Sequence, residues 1–341
     1  MAFLEEKTMK IDVHTATKTY PVIQERGILK RASEYIQRKG HVFLVSDDGV
    51  PEQWRNELKR QYPDAPMHVF PHGEKNKNFD TVRNLLQDML EHHVSRKDTV
   101  IALGGGVVGD MAGFAAATYM RGISYINIPT TSLSQIDSSI GGKTAIDLAG
   151  YKNSVGAFWQ PDMVLVDTDT LRTLSERHLN NGLAEAVKEG LTFDASLFEI
   201  FEKDDYRDHI DEIIERCLKI KRDVVERDER ETGDRKLLNF GHTIGHAVES
   251  CFDLEEYLHG ECVAMGMMAV MENEELKERL AAVLKRMNLP VHWKADPEMI
   301  MERMKNDKKA DHGRITIVQV DTIGKGYLKD IGLEEMRKKI Q

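Results

Sequence analysis

The chain has 341 residues, of which 41% are hydrophobic and 30% are charged. This is the composition of a globular protein, and the length predicts two domains. Lysine and arginine total 47 against 57 acids, a net charge of −10, and no basic run with interleaved aromatic residues occurs. We therefore expect neither a nucleic-acid partner nor a membrane-surface partner.

The cysteines and the N-terminus indicate the compartment. Three cysteines without a CxxC pair do not build a disulfide framework, which is typical of a reducing environment. The first ten residues carry two acids and lack the apolar core of a signal peptide. A cytoplasmic protein is expected.

Five short apolar runs rich in β-branched residues lie in the first part of the chain. They occur at 41–46, 67–70, 99–103, 124–128 and 163–166. Helical patterns such as that at 84–93 separate several of them. Buried runs that alternate with helices predict a parallel sheet, whose ligands bind at the carboxyl ends of the strands.

The second part of the chain is predicted to be helical. No proline lies between Pro161 and Pro290, and apolar residues from 210 to 225 share one helical stripe. The predicted fold class is therefore α/β, with a Rossmann-like parallel-sheet domain over 1–174 and a mainly α-helical domain over 175–341. Lys221 is a cation on the apolar stripe, and taken alone it is explained by a side chain that snorkels to the surface.

A glycine-rich segment directly follows the run at 99–103. It reads GGGVVGD over 104–110, and its glycines at 104, 106 and 109 match GxGxxG, a spacing that suits a phosphate at a helix N-terminus. The acid expected about 20 residues later in a Rossmann fingerprint is missing, so the match is incomplete. A pyrophosphate site is still favoured over a structural turn. Asp47 or Asp48 could bind a ribose, and Glu74 and Lys77 form a polar pair near a turn.

A hydroxyl-rich segment covers 129–144 and ends in Gly-Gly-Lys-Thr. It is not a P-loop, because position 137 is Asp where that motif needs glycine. Either it binds phosphate or sugar hydroxyls, or it is a capped helix start. Lys152 and Asn153 add a cation and an amide donor shortly afterwards.

Three histidines lie within eighteen residues. His242 and His246 are spaced i, i+4 on one helix face, and His259 follows. Neutral imidazole is a common ligand for divalent metals, so a metal site is favoured. Position 243 is Thr, so the pair is not HExxH and peptidase chemistry is disfavoured. Glu185, with Lys188 one turn later, is a candidate for completing the site.

In their order, these motifs resemble those of the 3-dehydroquinate synthases, in the sugar-phosphate cyclase superfamily. The resemblance covers nearly the whole chain, and departures such as Thr-Ala-Ile-Asp after Lys143 are small. The matching segments are 105–110, 129–131, 137–143, 152–153, 182–188, 238–246, 259–261 and 307–309.

The resemblance implies two cofactors, NAD and one divalent metal, zinc or cobalt. It implies that Glu185, His242 and His259 hold the metal. It assigns NAD contacts to Asp47 or Asp48, Glu74, Lys77, Gly105, Gly106, Val107, Val108, Gly109, Asp110, Thr130, Thr131, Asp137, Lys143, Lys152 and Thr173.

The resemblance also implies the substrate, a phosphorylated seven-carbon sugar acid. It assigns substrate contacts to Lys143, Lys152, Asn153, Lys188, Lys221, Arg235, Asn239, His242, His246 and one of Lys308 and Lys309. It implies a homodimer in which Arg121 reaches the substrate phosphate of the partner subunit. Alternatives are another sugar-phosphate cyclase, a metal-dependent alcohol dehydrogenase of the glycerol type, and a non-catalytic nucleotide-binding protein.

Overall fold

The computed structural model describes residues 8–37, 40–252, 256–307 and 314–341. Its internal contacts divide the chain into two compact units. The first is Met1–Leu174 with Lys221–Glu229, and the second is Ser175–Ile220 with Arg230–Gln341. The predicted division at 174 cut the chain once, whereas these contacts also group Lys221–Glu229 with the first unit. The roles assigned to the two domains stay predictions.

A seven-stranded sheet forms the centre of the first unit, in the order β1-β2-β9-β6-β5-β3-β4. The five predicted runs are all strands in this sheet, and each pairs in parallel with its neighbours, so the parallel sheet is confirmed. The hairpin of β1 and β2 at one edge was not predicted. The strands are β1 (Met9–His14), β2 (Thr19–Gln24), β3 (Val42–Asp47), β4 (Met67–Phe70), β5 (Thr99–Gly104), β6 (Ser124–Pro129) and β9 (Met163–Val166).

Both faces of this sheet are covered, which explains why its strands are continuously apolar. Side chains alternate along β3: Phe43 packs in one apolar cluster and Leu44 in the other. Helices line the two clusters. Helices α1 (Ala32–Tyr35) and α2 (Glu52–Gln61) line the cluster that contains Leu44. Helices α3 (Phe79–Glu91) and α4 (Gly106–Thr118) line the cluster that contains Phe43. The helix predicted at 84–93 is α3.

A second hairpin, β7 (Lys143–Leu148) and β8 (Tyr151–Phe158), follows a single helical turn at Ser134–Ser138. The register of this hairpin shifts between Ile146 and Leu148, which places a bulge at Asp147. The hydroxyl-rich segment is therefore a short helical turn that leads into a strand.

The second unit is mainly helical, as predicted, and it also contains a β10–β11 hairpin that was not predicted. The stripe at 210–225 belongs to α7. In the described residues, no helix combines the length and hydropathy that crossing a bilayer requires. Helix α7 (Ile210–Arg227) begins in this unit, and its residues from Lys221 onward group by their contacts with the first unit. The other elements are α5 (Glu176–Thr192), α6 (Ala195–Lys203), α8 (His242–Cys251), α9 (His259–Val270), α10 (Glu274–Arg286), α11 (Pro297–Asp307), β10 (Arg314–Thr322), β11 (Lys325–Gly332) and α12 (Leu333–Ile340).

Close packing of α8 on α9 positions the histidines. A Cβ on Gly266 would lie 2.0 Å from the carbonyl oxygen of Gly241, and one on Gly245 would lie 2.9 Å from that of Cys262. Only glycine permits this approach, because both neighbours are backbone atoms. The two histidine-bearing helices are thereby held at short range.

Candidate functional site

Helix α5 carries charged residues into the interior of the second unit. It is buried on every side from Asn180 to Thr192. Glu185 and Lys188 lie one turn apart on it, each with a side chain only 1% exposed, and the Lys188 ammonium contacts the Glu185 carboxylate. Buried charges of this kind are rare unless they are paired or coordinate a metal.

Two imidazoles face the other oxygen of this carboxylate. Nε2 of His242 and Nε2 of His259 each lie 3.6 Å from Oε1 of Glu185. The ligand-capable atoms of His242, His246 and His259 lie within 4.8 Å of one another. The structure therefore brings together the three predicted metal ligands and the predicted His246 from α5, α8 and α9.

The electrostatics of this group favour a positive charge beside Glu185. Burial favours the neutral carboxyl, but Lys188 and the two imidazoles outweigh it and hold the pKa of Glu185 well below its usual range. Burial lowers the pKa of His242 well below its usual range, so this imidazole is neutral near pH 7. Burial opposes protonation of His259 as well, but the Glu185 and Glu249 carboxylates raise its pKa to about 10.

The residues present fit a divalent metal. Oε1 of Glu185 is buried and makes no hydrogen bond with the residues that the structure describes. Two ligands bound about 2.0–2.1 Å from one tetrahedral ion lie about 3.3–3.4 Å apart, close to the 3.6 Å separations observed. Two imidazoles and a carboxylate are also the donor set of a catalytic zinc site with an open position.

Other predicted substrate residues of the second unit occupy a 3-10 turn, Asp234–Asn239, just before α8. Arg235 is 2% exposed, and Asn239 donates a 2.6 Å hydrogen bond to Glu231. A buried guanidinium is a fixed cation, which suits an anionic ligand. Lys308 and Lys309 lie outside the described residues.

In the first unit, the glycine-rich segment lies at the sheet's switch point. The chain passes from β3 to β4 on one side and then to β5 on the other, so the carboxyl ends of β3 and β5 flank the crevice where such sheets bind ligands. Helix α4 begins at Gly106 in this position. A Cβ on Gly105 would lie 3.1 Å from Thr131, and one on Gly106 would lie 3.2 Å from Ser138. The glycines leave open a cradle at a helix N-terminus, as the pyrophosphate prediction requires.

Lys77 links three segments that the sequence analysis singled out. Its ammonium lies 2.5 Å from the Asp110 carboxylate and 3.7 Å from Glu74, and it donates to the Asn153 side chain. Lys152 lies 4.0 Å from Glu74. Burial raises the pKa of Asp110 to about 6, although Lys77 opposes this rise. Five predicted residues thus form one network.

Lys221 does not snorkel. Its side chain is 7% exposed, and its ammonium contacts the carboxylate of Asp137, which lies in the helical turn after β6. The structure therefore joins a predicted substrate residue to a predicted NAD residue. Because Lys221 belongs by its contacts to the first unit, this pair lies within that unit.

The other predicted residues of the first unit lie at or after the ends of strands, in α4, or on the hairpin. Asp47 is buried and accepts a hydrogen bond from the Val50 amide, whereas Asp48 is exposed and bonds to His72. Thr173 accepts a hydrogen bond from the Trp54 indole. Val107, Val108 and Gly109 continue α4, Thr130 and Thr131 follow β6, and Lys143 begins β7.

Two residues of these networks were not singled out from the sequence. Asp147 accepts a 2.8 Å hydrogen bond from the Asn153 amide, and its own amide donates to the Lys77 carbonyl at 2.8 Å. Glu249 lies 3.4 Å from Nδ1 of His259. Glu249 follows His242 by seven residues, and this helical spacing is the signal that could have placed it on the histidine face. Asp147 carried no such signal, because it lies at a bulge.

Comparison with known proteins identifies the family. Residues 67–181 match the 3-dehydroquinate synthase N-terminal family, and residues 182–310 match the 3-dehydroquinate synthase C-terminal family. The chain is 40% identical to 3-dehydroquinate synthase of Clostridium acetobutylicum, over 97% of this chain and 98% of that one.

Solved structures of other cyclases share the whole fold. The chain matches 2-deoxy-scyllo-inosose synthase, complexed with carbaglucose-6-phosphate, NAD+ and Co2+, with a TM-score of 0.86 and 25% identity over 97% of this chain and 99% of that one. It matches 2-epi-5-epi-valiolone synthase of Streptomyces hygroscopicus, with NAD+ and Zn2+ bound, with a TM-score of 0.85 and 26% identity over 97% and 98%. The fold is thus that of the sugar-phosphate cyclases. Within that class, the chain belongs to the 3-dehydroquinate synthase family.

Gly260 offers a test of the histidine geometry. A Cβ at this position would lie 1.8 Å from the carbonyl oxygen of Asn181, so Gly260→Ala must move the start of α9 and with it His259. We expect the variant to lose about 1–3 kcal/mol of stability in urea denaturation and to bind Zn2+ more weakly in competition with a chelator. Gly332→Ala is the matched control, because its Cβ meets no atom within 4 Å among the residues that the structure describes. Equal zinc affinities for Gly260→Ala and Gly332→Ala would contradict the placement of His259.

Proposed function

We propose that this chain is a 3-dehydroquinate synthase, a lyase that converts 3-deoxy-D-arabino-heptulosonate 7-phosphate into 3-dehydroquinate and phosphate. The reaction comprises oxidation at C5, β-elimination of phosphate from C7, reduction and an intramolecular aldol closure. The observation that carries the proposal is the buried carboxylate of Glu185 facing two imidazoles, in a chain 40% identical to such a synthase over nearly its full length.

Two groups are proposed as cofactors. Glu185, His242 and His259 would hold a divalent ion, zinc or cobalt, and the glycine cradle at the start of α4 would hold the pyrophosphate of NAD+. When bound, NAD+ supplies a reversible hydride acceptor, and the metal ion supplies a Lewis acid for the alcohol and ketone oxygens. The remaining tasks of binding, orienting and proton handling fall to the side chains.

The cations of the site would bind and orient a substrate with a carboxylate and a phosphate. Lys188 and Arg235 are both buried, so their charges are fixed before the substrate arrives. Lys221, Lys143, Lys152 and one of Lys308 and Lys309 are proposed to add to this set, and Asn153 and Asn239 are proposed to supply amides. A simple alcohol dehydrogenase needs no such set, which favours the phosphorylated sugar acid.

His246 is proposed to handle the proton of the reacting alcohol. It is exposed, and it lies one helical turn beyond His242 within the histidine group. An imidazole can both accept and donate a proton, which suits the transfer of one proton in each direction. The substrate phosphate can itself take the C6 proton, so the proposal assigns no other side chain to that step.

Phosphate release tests the proposed function. Protein stripped with a chelator is given the heptulosonate phosphate, with NAD+ and Zn2+ added back singly and together. We expect release only when both are present, with no lasting absorbance from NADH, because the hydride returns to the substrate. Release without NAD+, or NADH accumulation with simple polyols, would contradict the proposal, and the second result would favour a dehydrogenase.

We also propose a cytoplasmic homodimer in which Arg121 serves the partner's substrate phosphate. Arg121 is exposed, and its backbone is left-handed with φ +70, beside Met120 with φ +48. Such strain in non-glycine residues persists where surrounding structure imposes it and is often functional. The location is supported by three cysteines outside any disulfide.

A mixing experiment tests the role of Arg121. Arg121→Ala and His242→Ala each remove one component, so each variant alone should be nearly inactive. When the two variants are refolded together, they form mixed dimers. In a mixed dimer, the site of the Arg121→Ala subunit has its own His242 and receives the intact Arg121 of the His242→Ala subunit. We expect phosphate release to recover to about a quarter to a half of the wild-type rate. No recovery in a mixture shown to contain mixed dimers would mean that Arg121 acts within its own subunit.

A further inference from the structure

Each of the two ligand histidines has a partner on its second ring nitrogen. Nδ1 of His242 lies 3.2 Å from the carbonyl oxygen of Phe240, and Nδ1 of His259 lies 3.4 Å from Oε2 of Glu249. Both partners accept hydrogen bonds, so each favours the tautomer with the proton on Nδ1. Once Nε2 has lost its proton for metal binding, the proton that remains on Nδ1 is held by this partner and the lone pair of Nε2 faces Glu185.

The two histidines differ in how their rings are held. Each histidine is the first residue of its helix, but the His242 side chain is 13% exposed, whereas that of His259 is 27% exposed. The more exposed side chain has fewer neighbours to fix its rotation. The partner on Nδ1 therefore matters more for His259.

The backbone around His259 is fixed by other residues. The Gly260 amide donates a 2.6 Å hydrogen bond to Asn181. Glu261 accepts a hydrogen bond from the Leu258 amide at 2.8 Å and forms two short contacts with the Arg177 guanidinium, at 2.6 Å and 2.7 Å. These contacts place the backbone at His259, but none of them is made by the imidazole ring itself, which lies beside the rings of His242 and His246.

Glu249 contacts the imidazole ring itself. It lies on the same face of α8 as His242 and His246, at i, i+4 and i+7, and its side chain is 6% exposed. Its carboxylate contacts the edge of the ring opposite to Nε2, so it acts behind the metal-facing atom. Carboxylates placed in this way orient the ring and raise the basicity of the ligand nitrogen.

We propose that Glu249 is a positioning residue that holds the His259 imidazole in the tautomer and orientation that bind the divalent ion. The inference rests on the proposed metal centre and adds to it a fourth side chain, which is not itself a ligand. Loss of the acceptor at Glu249 is expected to weaken metal binding about 10- to 100-fold, the usual effect of losing such a partner.

Metal affinity of the purified protein tests this role, independently of catalysis. Zn2+ binding is measured in competition with a chromophoric chelator, and the visible absorption of the Co2+ form reports the geometry of the ligands. Glu249→Gln keeps an oxygen acceptor and should bind within about threefold of wild type. Glu249→Leu removes the acceptor, and Glu249→Asp withdraws it beyond reach, so both should bind about 10- to 100-fold more weakly, with a changed Co2+ spectrum.

Glu202→Leu is the control, since it removes a carboxylate of the same unit that pairs with Arg279 at 2.7 Å. It should leave the affinity unchanged. Equal Zn2+ affinities for the Gln, Asp and Leu variants of Glu249 would overturn the inference. If the Leu variant does not fold, the comparison of the Gln variant with the Asp variant decides. Failure of the wild type itself to bind Zn2+ or Co2+ would instead overturn the metal centre and, with it, the role of Glu249.

Discussion

The second unit depends on the burial of one carboxylate. Placing Glu185 inside a helix that is buried on all sides costs several kcal/mol unless cations and donors replace the lost water. The Lys188 ammonium offsets the cost of burying one oxygen of the Glu185 carboxylate, and the imidazoles of His242 and His259 face the other oxygen. The glycine contacts between α8 and α9, and the anchoring of His259 by its neighbours, both serve to bring those imidazoles to Glu185. A divalent ion would supply the charge that this arrangement favours, so the packing of three helices and the proposed chemistry follow from the same constraint.

The first unit is proposed to hold a phosphorylated cofactor, although the protein as a whole is acidic. The order in which the chain adds strands to its sheet reverses between β3 and β5, and the glycines at the start of α4 leave space at that edge. Lys77 then ties the turn after β4, the first turn of α4 and the β7–β8 hairpin into one charged network. Local cations arranged in this way would account for the proposed anion binding at a net charge of −10.

Many of these structural features could be predicted from the sequence, because the patterns that indicate them are local. Continuous apolar runs predicted the five parallel strands, and the i, i+4 spacing of His242 and His246 predicted a shared helix face. The hairpins were missed for different reasons. β1 alternates between buried and exposed side chains, a usable signal, whereas β8 is largely exposed and carries no clear pattern. The partner of Lys221 could not be predicted either, because Asp137 is 84 residues away and only the tertiary fold joins them.

X-ray absorption at the zinc edge of the zinc-loaded protein tests the central claim most directly, because it counts ligands by element without requiring turnover. We expect one zinc per chain, nitrogen and oxygen ligands at about 2.0–2.1 Å, and outer-shell scattering from two imidazoles. Zinc–sulfur scattering at about 2.3 Å, or a shell without imidazole, would contradict the assignment of Glu185, His242 and His259 as the metal centre.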